Sequence, residues 1–137
     1  MKIFSLALGE DENTFILHRA ARNFVVLNIY PYTSGHLMIV PFEHTADFST
    51  LAKETSDELM DLAKRAQAVL YETYRPHGFN LGMNLGNAAG AGVTDHLHLH
   101  VLPRWTGDSN FMTTVGETRV IPEDIRSTYD KLRGRFG

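Results

Sequence analysis

The run His96-Leu97-His98-Leu99-His100 constrains this chain more than any other stretch of it. Imidazole and leucine alternate with a period of two, the period of a β-strand, whose successive side chains point to opposite faces. A strand here places the three histidines on one face, about 6.5–7 Å apart, and sends Leu97, Leu99 and Val101 the other way into a core. A lone histidine on a sheet face reads as a satisfied polar residue. Three in strict alternation commit a whole face to imidazoles, which points to chemistry.

Two chemistries suit that face. Neutral imidazoles are good ligands for zinc and other transition metals, although Asp95, the nearest carboxylate, projects from the opposite face. Histidine also titrates near neutrality, so one ring can attack phosphorus while another supplies a proton to the leaving group. The preceding segment favours the second reading: Asn84-Leu85-Gly86-Asn87-Ala88-Ala89-Gly90-Ala91-Gly92-Val93-Thr94-Asp95 is rich in glycine. Glycines let backbone N–H groups approach an anion closely. Loop and strand together make an anion pocket beside a nucleophile.

Around this centre the chain reads as α+β with a largely antiparallel sheet. Residues 14–18, 23–28, 36–40, 79–85 and 97–102 are apolar segments bounded by turn residues, and they predict about five strands. Thr55 with Glu58 has capping-box spacing. Leu59, Leu62, Ala63, Ala66, Val69, Leu70 and Thr73 then form one apolar stripe, so a long helix is expected until Pro76 and Gly78 stop it. A short C-terminal helix is expected from Pro122, with Glu123 and Asp124 complementing its dipole and Ile121, Ile125, Tyr129 and Leu132 on its buried face. Strands and helices without regular βαβ alternation favour this class. The tail, 133–137, reads as polar and partly mobile.

The chain has 137 residues, which predicts a single domain, 1–137. Cysteine is absent, which excludes disulfides and thiolate metal sites. No apolar run approaches the length of a membrane span, and residues 1–8 lack a signal peptide's apolar centre, so the cytoplasm is the expected compartment. The net charge of −3 lacks the basic footprint of a nucleic-acid binder.

Gly35-His36 opening a strand, then His-x-His-x-His and two apolar residues (Val101, Leu102) 60 positions after His36, resembles the histidine triad (HIT) superfamily. Pro103-Arg104-Trp105 with residues 107–112 resembles its branch of diadenosine polyphosphate hydrolases and phosphorylases, the fragile histidine triad-like branch. The resemblance implies a homodimer with a continuous antiparallel sheet, acting at the α-phosphate of a dinucleoside polyphosphate through a covalent nucleotidyl-histidine. It implies His98 as nucleophile, His100 at the phosphate and leaving group, His96 orienting His98 through its backbone, and His36 completing the cluster. It also implies Asn28 at the ribose, Asn84 near the phosphates, and backbone donors at Gly92 and Val93. Trp105 would stack on a base, sit at the dimer interface, or anchor the C-terminal segment.

No cofactor is required by this chemistry, although the polyphosphate substrate can arrive as a magnesium complex. Many relatives bind structural zinc through Cys-x-x-Cys, a histidine like His44 and one triad histidine. Here Lys2-Ile3-Phe4-Ser5 takes the cysteine position, so no such metal site is expected, and His44 reads as a cap or surface residue. Rival activities are a phosphorylase using phosphate as acceptor, a nucleoside phosphoramidase, and, from another class, a nucleotide- or metal-binding protein with little catalysis.

Overall fold

A computed structural model describes residues 11–89, 96–108 and 123–137. Its centre is one five-stranded sheet in the order β1-β2-β3-β5-β4. The strands are β1 (Ile16–Arg19), β2 (Asn23–Leu27), β3 (Leu37–Pro41), β4 (Gly78–Gly82) and β5 (Leu99–Arg104). Every neighbouring pair is antiparallel. The helices are a single turn, α1 (Asp11–Thr14), the long α2 (Lys53–Tyr74) and the short α3 (Ile125–Leu132). The expected α+β class and element inventory are therefore present. Among the described residues no helix is long and apolar enough to cross a membrane.

The central strands are buried on both sides, which is why they read as continuous apolar runs. Val25, Leu27, Leu37 and Ile39 point toward α2, with Leu99 and Val101 of β5, and pack on Leu59, Leu62, Ala63, Ala66 and Leu70. Their alternates Phe24, Val26, Met38 and Val40 form a second cluster with Ile16. The register of Val25 opposite Ile39 and Phe24 opposite Val40 keeps the two sets apart, because a slip of one residue would exchange the faces.

Three local expectations are corrected. Helix α2 begins at Lys53 with Ala52 as its cap residue, and no side chain caps it. Thr55 is buried within the first turn, and Glu58 turns outward to the β1–β2 turn. Its Oε1 accepts from the Arg22 N–H at 2.8 Å and from Asn23 Nδ2 at 2.9 Å, while Asn23 Nδ2 also donates to the Thr55 carbonyl at 3.1 Å. A tertiary partner has displaced the local cap. Asp124 caps α3, accepting from the N–H groups of Arg126 and Ser127; the expected start at Pro122 lies outside the described residues. The tail is anchored, since Phe136 is 2% exposed within the main core and stacks on His18. Burial of a phenylalanine contributes about 1.5–3 kcal/mol.

Candidate active site

Strand β3 delivers His36 from a tight turn. Gly35 takes a φ of 82°, and an added Cβ there would lie 3.0 Å from Leu70 Cδ2, 3.1 Å from Tyr74 Cε2 and 3.3 Å from Pro103 Cγ. Glycine is needed both for the left-handed backbone and for the close approach. Thr33 Oγ1 donates to the Pro103 carbonyl at 2.8 Å, and the Glu123 N–H donates to Ser34 Oγ at 2.9 Å, fixing the turn from two sides. The Asn28 N–H donates to the His36 carbonyl at 2.9 Å, so Asn28 ends β2 directly beside the histidine.

On β5, His100 lies opposite Met38 and points away from the α2 side of the sheet, as His36 does. The Nε2 of His36 is 2.8 Å from Nδ1 of His100. The Tyr32 backbone N–H donates to Nδ1 of His36 at 3.3 Å, so that nitrogen is an acceptor and the ring hydrogen of neutral His36 sits on Nε2. His36 then donates to His100, and neutral His100 carries its hydrogen on Nε2. Asn28 Nδ2, at 3.5 Å from His36 Nε2, is too long to compete.

The ring of His98 meets that of His100 edge-on, centroids 4.8 Å apart. Its Nδ1 lies 3.2 Å from the His96 carbonyl oxygen and must donate to it. The Nε2 of His98 is thereby left with its lone pair, the form a nucleophile needs.

Burial, followed by repulsion from His100 and His98, lowers the pKa of His36 to about 3. Burial and His98 lower that of His100 to about 4. Both rings are neutral at pH 7, in agreement with the tautomers that the hydrogen bonds dictate. Neutral His100 offers Nε2–H as its donor.

The single imidazole face is also corrected. Strand β5 starts only at Leu99. The Leu97 N–H donates to the Thr45 carbonyl at 2.8 Å, so the chain leaves the ladder before His98. His96 turns away: its Nε2 is 2.8 Å from the Pro41 carbonyl, and its buried ring packs against exposed His44, centroids 4.9 Å apart. The side chains brought together are those of His36, His98 and His100, while His96 reaches the cluster through its carbonyl.

These two outer histidines test the zinc site. The chain has no thiol, and no group of three or more His, Cys, Asp or Glu side chains among the described residues is placed to hold a metal. His44 and His96 alone do not fit a four-ligand zinc site. Residues 2–5 lie outside the described residues.

Of the remaining expected site residues, Gly92 and Val93 also lie outside the described residues. Asn84 is exposed on the loop after β4 and takes no part in the hydrogen bonds that join the histidines. Trp105 follows β5, meets Tyr74 edge-on with centroids 6.3 Å apart, and lines a cleft of about 430 Å³ with Tyr32, Asp108 and Glu123. Tyr32 was missed from sequence. Its ring stacks on His36, centroids 5.2 Å apart and planes 23° from parallel. The available signal was Ile29-Tyr30-Pro31-Tyr32, three large apolar side chains in a turn where polar residues are the rule.

The HIT domain profile matches residues 9–107. The AP-4-A phosphorylase of Mycobacterium tuberculosis is 45% identical over 118 residues, covering 86% of this chain and 60% of that protein. The chain thus spans three fifths of that relative's length. An adenosine 5'-monophosphoramidase of Schizosaccharomyces pombe is 24% identical over 134 residues, covering 98% of this chain and 97% of that one. Among solved structures, a zinc-bound histidine triad family protein from Mycobacterium smegmatis superposes with a TM-score of 0.71 at 27% identity, over 90% of this chain and 84% of that one.

Proposed function

The chain belongs to the histidine triad family, and from that premise we propose that it transfers the nucleotidyl group at the α-phosphate of a dinucleoside polyphosphate, with His98 as the covalent nucleophile. The observation that carries the reading is the free Nε2 of His98, set by the bond from its Nδ1–H to the His96 carbonyl. The Nε2 lone pair attacks the α-phosphorus in line, and the bond from phosphorus to the bridging oxygen breaks. The leaving nucleotide takes both electrons of that bond. As the ring becomes cationic, the His96 carbonyl stabilises it through Nδ1–H. Neutral His100 donates Nε2–H to a phosphate oxygen, with His36 holding its tautomer. An acceptor oxygen then attacks the phosphorus of the nucleotidyl-histidine, and the bond from phosphorus to Nε2 breaks with both electrons returning to Nε2. Any proton on the acceptor passes to solvent, and neutral His98 is restored.

Similarity to a phosphorylase favours inorganic phosphate as the acceptor. With diadenosine tetraphosphate the products are then ATP and ADP; water would give ATP and AMP. Asn28 at the ribose, Asn84, Gly92 and Val93 around the phosphates, and Trp105 at a base complete the proposed substrate contacts. The protein supplies no metal to the reaction, and magnesium comes with the polyphosphate. The phosphoramidase reading has the second relative in its favour. A single-domain cytoplasmic homodimer belongs to the same proposal: β4 is an outer strand, and Leu81 on it and Leu85 beyond it stand exposed.

The test is a paired assay of wild type and His98→Ala on diadenosine tetraphosphate, with and without inorganic phosphate, alongside adenosine phosphoramidate. Wild type is expected to form ADP only with phosphate and His98→Ala to form none. AMP formation without phosphate reassigns the acceptor to water. Preference for the phosphoramidate moves the chain to the rival activity, and equal inertness of both proteins toward all three removes the catalytic reading.

A further inference from the structure

Exposed aromatic surface gathers on one side of the histidine cluster. Tyr30 and Tyr32 are 76% and 72% exposed, and neighbouring Ile29 is 42% exposed, although all three follow Asn28 directly in the turn before His36. Large apolar side chains grouped on a surface mark a binding region. One of them, Tyr32, belongs at once to the catalytic cluster, through its stack on His36, and to the cleft that also contains Tyr74 and Trp105. The cleft is of the size that holds a small ligand and meets the histidine cluster at Tyr32.

Its chemistry selects the ligand. Among the described residues two carboxylates line it, and each already has its cation. Asp108 holds Arg104 in a two-point bond, Nε to Oδ2 at 2.8 Å and Nη2 to Oδ1 at 2.7 Å. Glu123 accepts from Lys131 Nζ at 2.6 Å, from Thr128 Oγ1 at 2.8 Å and from the Tyr74 hydroxyl. Lys131 is thus engaged, and among the described residues the cleft has no cation left over to hold a phosphate. Three aromatic side chains and a compensated polar rim suit a flat, uncharged heterocycle.

We infer that the cleft between Tyr32 and Trp105 binds the second nucleobase of a dinucleoside polyphosphate, the one on the departing nucleotide. This rests on the nucleotidyl-transfer reading, which places the α-phosphate at His98. It makes the preference for a substrate with a nucleoside at each end a property of this cleft. Stacking on an aromatic side chain is worth about 1–3 kcal/mol per base, so the second nucleoside should tighten binding about fivefold or more.

The experiment compares diadenosine tetraphosphate with adenosine 5'-tetraphosphate, which lacks only the second nucleoside. Binding of each is measured by calorimetry on His98→Ala protein, where no turnover intervenes. The dinucleoside ligand should bind at least about fivefold tighter. That ratio should fall toward one when Tyr32→Ala or Trp105→Ala is added. Tyr32→Ala keeps the backbone N–H that serves His36, so it removes the ring alone. Trp105 is the chain's one tryptophan, and its fluorescence should respond to the dinucleoside ligand and not to the mononucleoside one. A ratio near one before the cleft is altered, a ratio that survives both substitutions, or equal fluorescence responses would each overturn the assignment. Absence of turnover by wild type with the ratio intact sinks the transferase reading and leaves the second-base site standing.

Discussion

Nε2 of His36 donates to Nδ1 of His100 across 2.8 Å, and Nδ1 of His36 accepts from the Tyr32 backbone at 3.3 Å. A backbone N–H can only donate, so this contact sets the hydrogen positions of both rings in turn. In the proposed reaction His36 would act through His100, supplying one hydrogen at Nε2.

Replacing His36 by alanine removes that hydrogen and frees the tautomer of His100. The expected loss is about ten- to a hundredfold in kcat, at the lower end of what a positioned proton donor contributes. Glutamine places an amide N–H near the same point, so His36→Gln should recover much of the loss. Steady-state kinetics on diadenosine tetraphosphate decide it, and equal defects in both variants would show that the hydrogen is not what matters.

Stability should respond to acid through the same pair. The pKa of His36 falls from its ordinary value of 6.5 to about 3, chiefly through burial, and that of His100 to about 4 for the same reason. A group depressed in the folded state contributes its full stability above pH ~6.5 and loses it as pH falls toward the folded value, because the unfolded chain takes up the proton first. At pH 5 His36 alone should have lost about 2 kcal/mol. Thermal melts from pH 7 to pH 5 should show a falling midpoint in wild type and a shallower fall in His36→Gln. Parallel curves would mean that His36 keeps its proton when buried.

Glu58 gives a prediction that separates local from tertiary roles. As a capping residue it would stabilise only the start of α2. In the structure it ties α2 to the β1–β2 turn through Arg22 and Asn23. Glu58→Ala should therefore cost about 1–2 kcal/mol, and Asn23→Ala should cost less in the absence of Glu58 than in wild type, the remainder being its bond to the Thr55 carbonyl. Urea unfolding of the single and double variants measures the coupling, and simple additivity would argue for independent roles.

The elements whose pattern comes from burial were legible in the chain. Val25, Leu27, Leu37 and Ile39 lie within the apolar segments read as strands, and Leu59 through Leu70 carry the buried stripe of α2. Residues whose roles depend on a distant partner were not. Glu58 answers to Arg22, 36 positions away, and His96 answers to the Pro41 carbonyl, 55 positions away. The alternation at His96 extended the strand too far because period two describes backbone direction and says nothing of where a ladder partner ends. Phe136 sits in an otherwise polar tail, and only the space beside His18 and the main core explains its burial. Tyr32 escaped because stacking on His36 depends on the path of the turn between them.

Gly35 offers the sharpest test of how the fold holds the site. Its φ of 82° costs an L-residue about 1–2 kcal/mol, and a methyl group would press on Leu70, Tyr74 and Pro103 at 3.0–3.3 Å. Overpacking of that kind typically adds about 1–3 kcal/mol. None of the three neighbours yields cheaply, since Leu70 is fully buried, the Tyr74 hydroxyl is bonded to Glu123, and the Pro103 carbonyl accepts from Thr33. Gly35→Ala should therefore lose about 2–5 kcal/mol in urea unfolding. The strain falls on the residue before His36, so folded Gly35→Ala should also lose kcat, and a KM change should be the smaller effect. Loss of stability with unchanged kcat would show that the turn can absorb the methyl group without moving the histidine. The position of His36 would then be set by its bond to His100, and the turn before it would serve the fold alone.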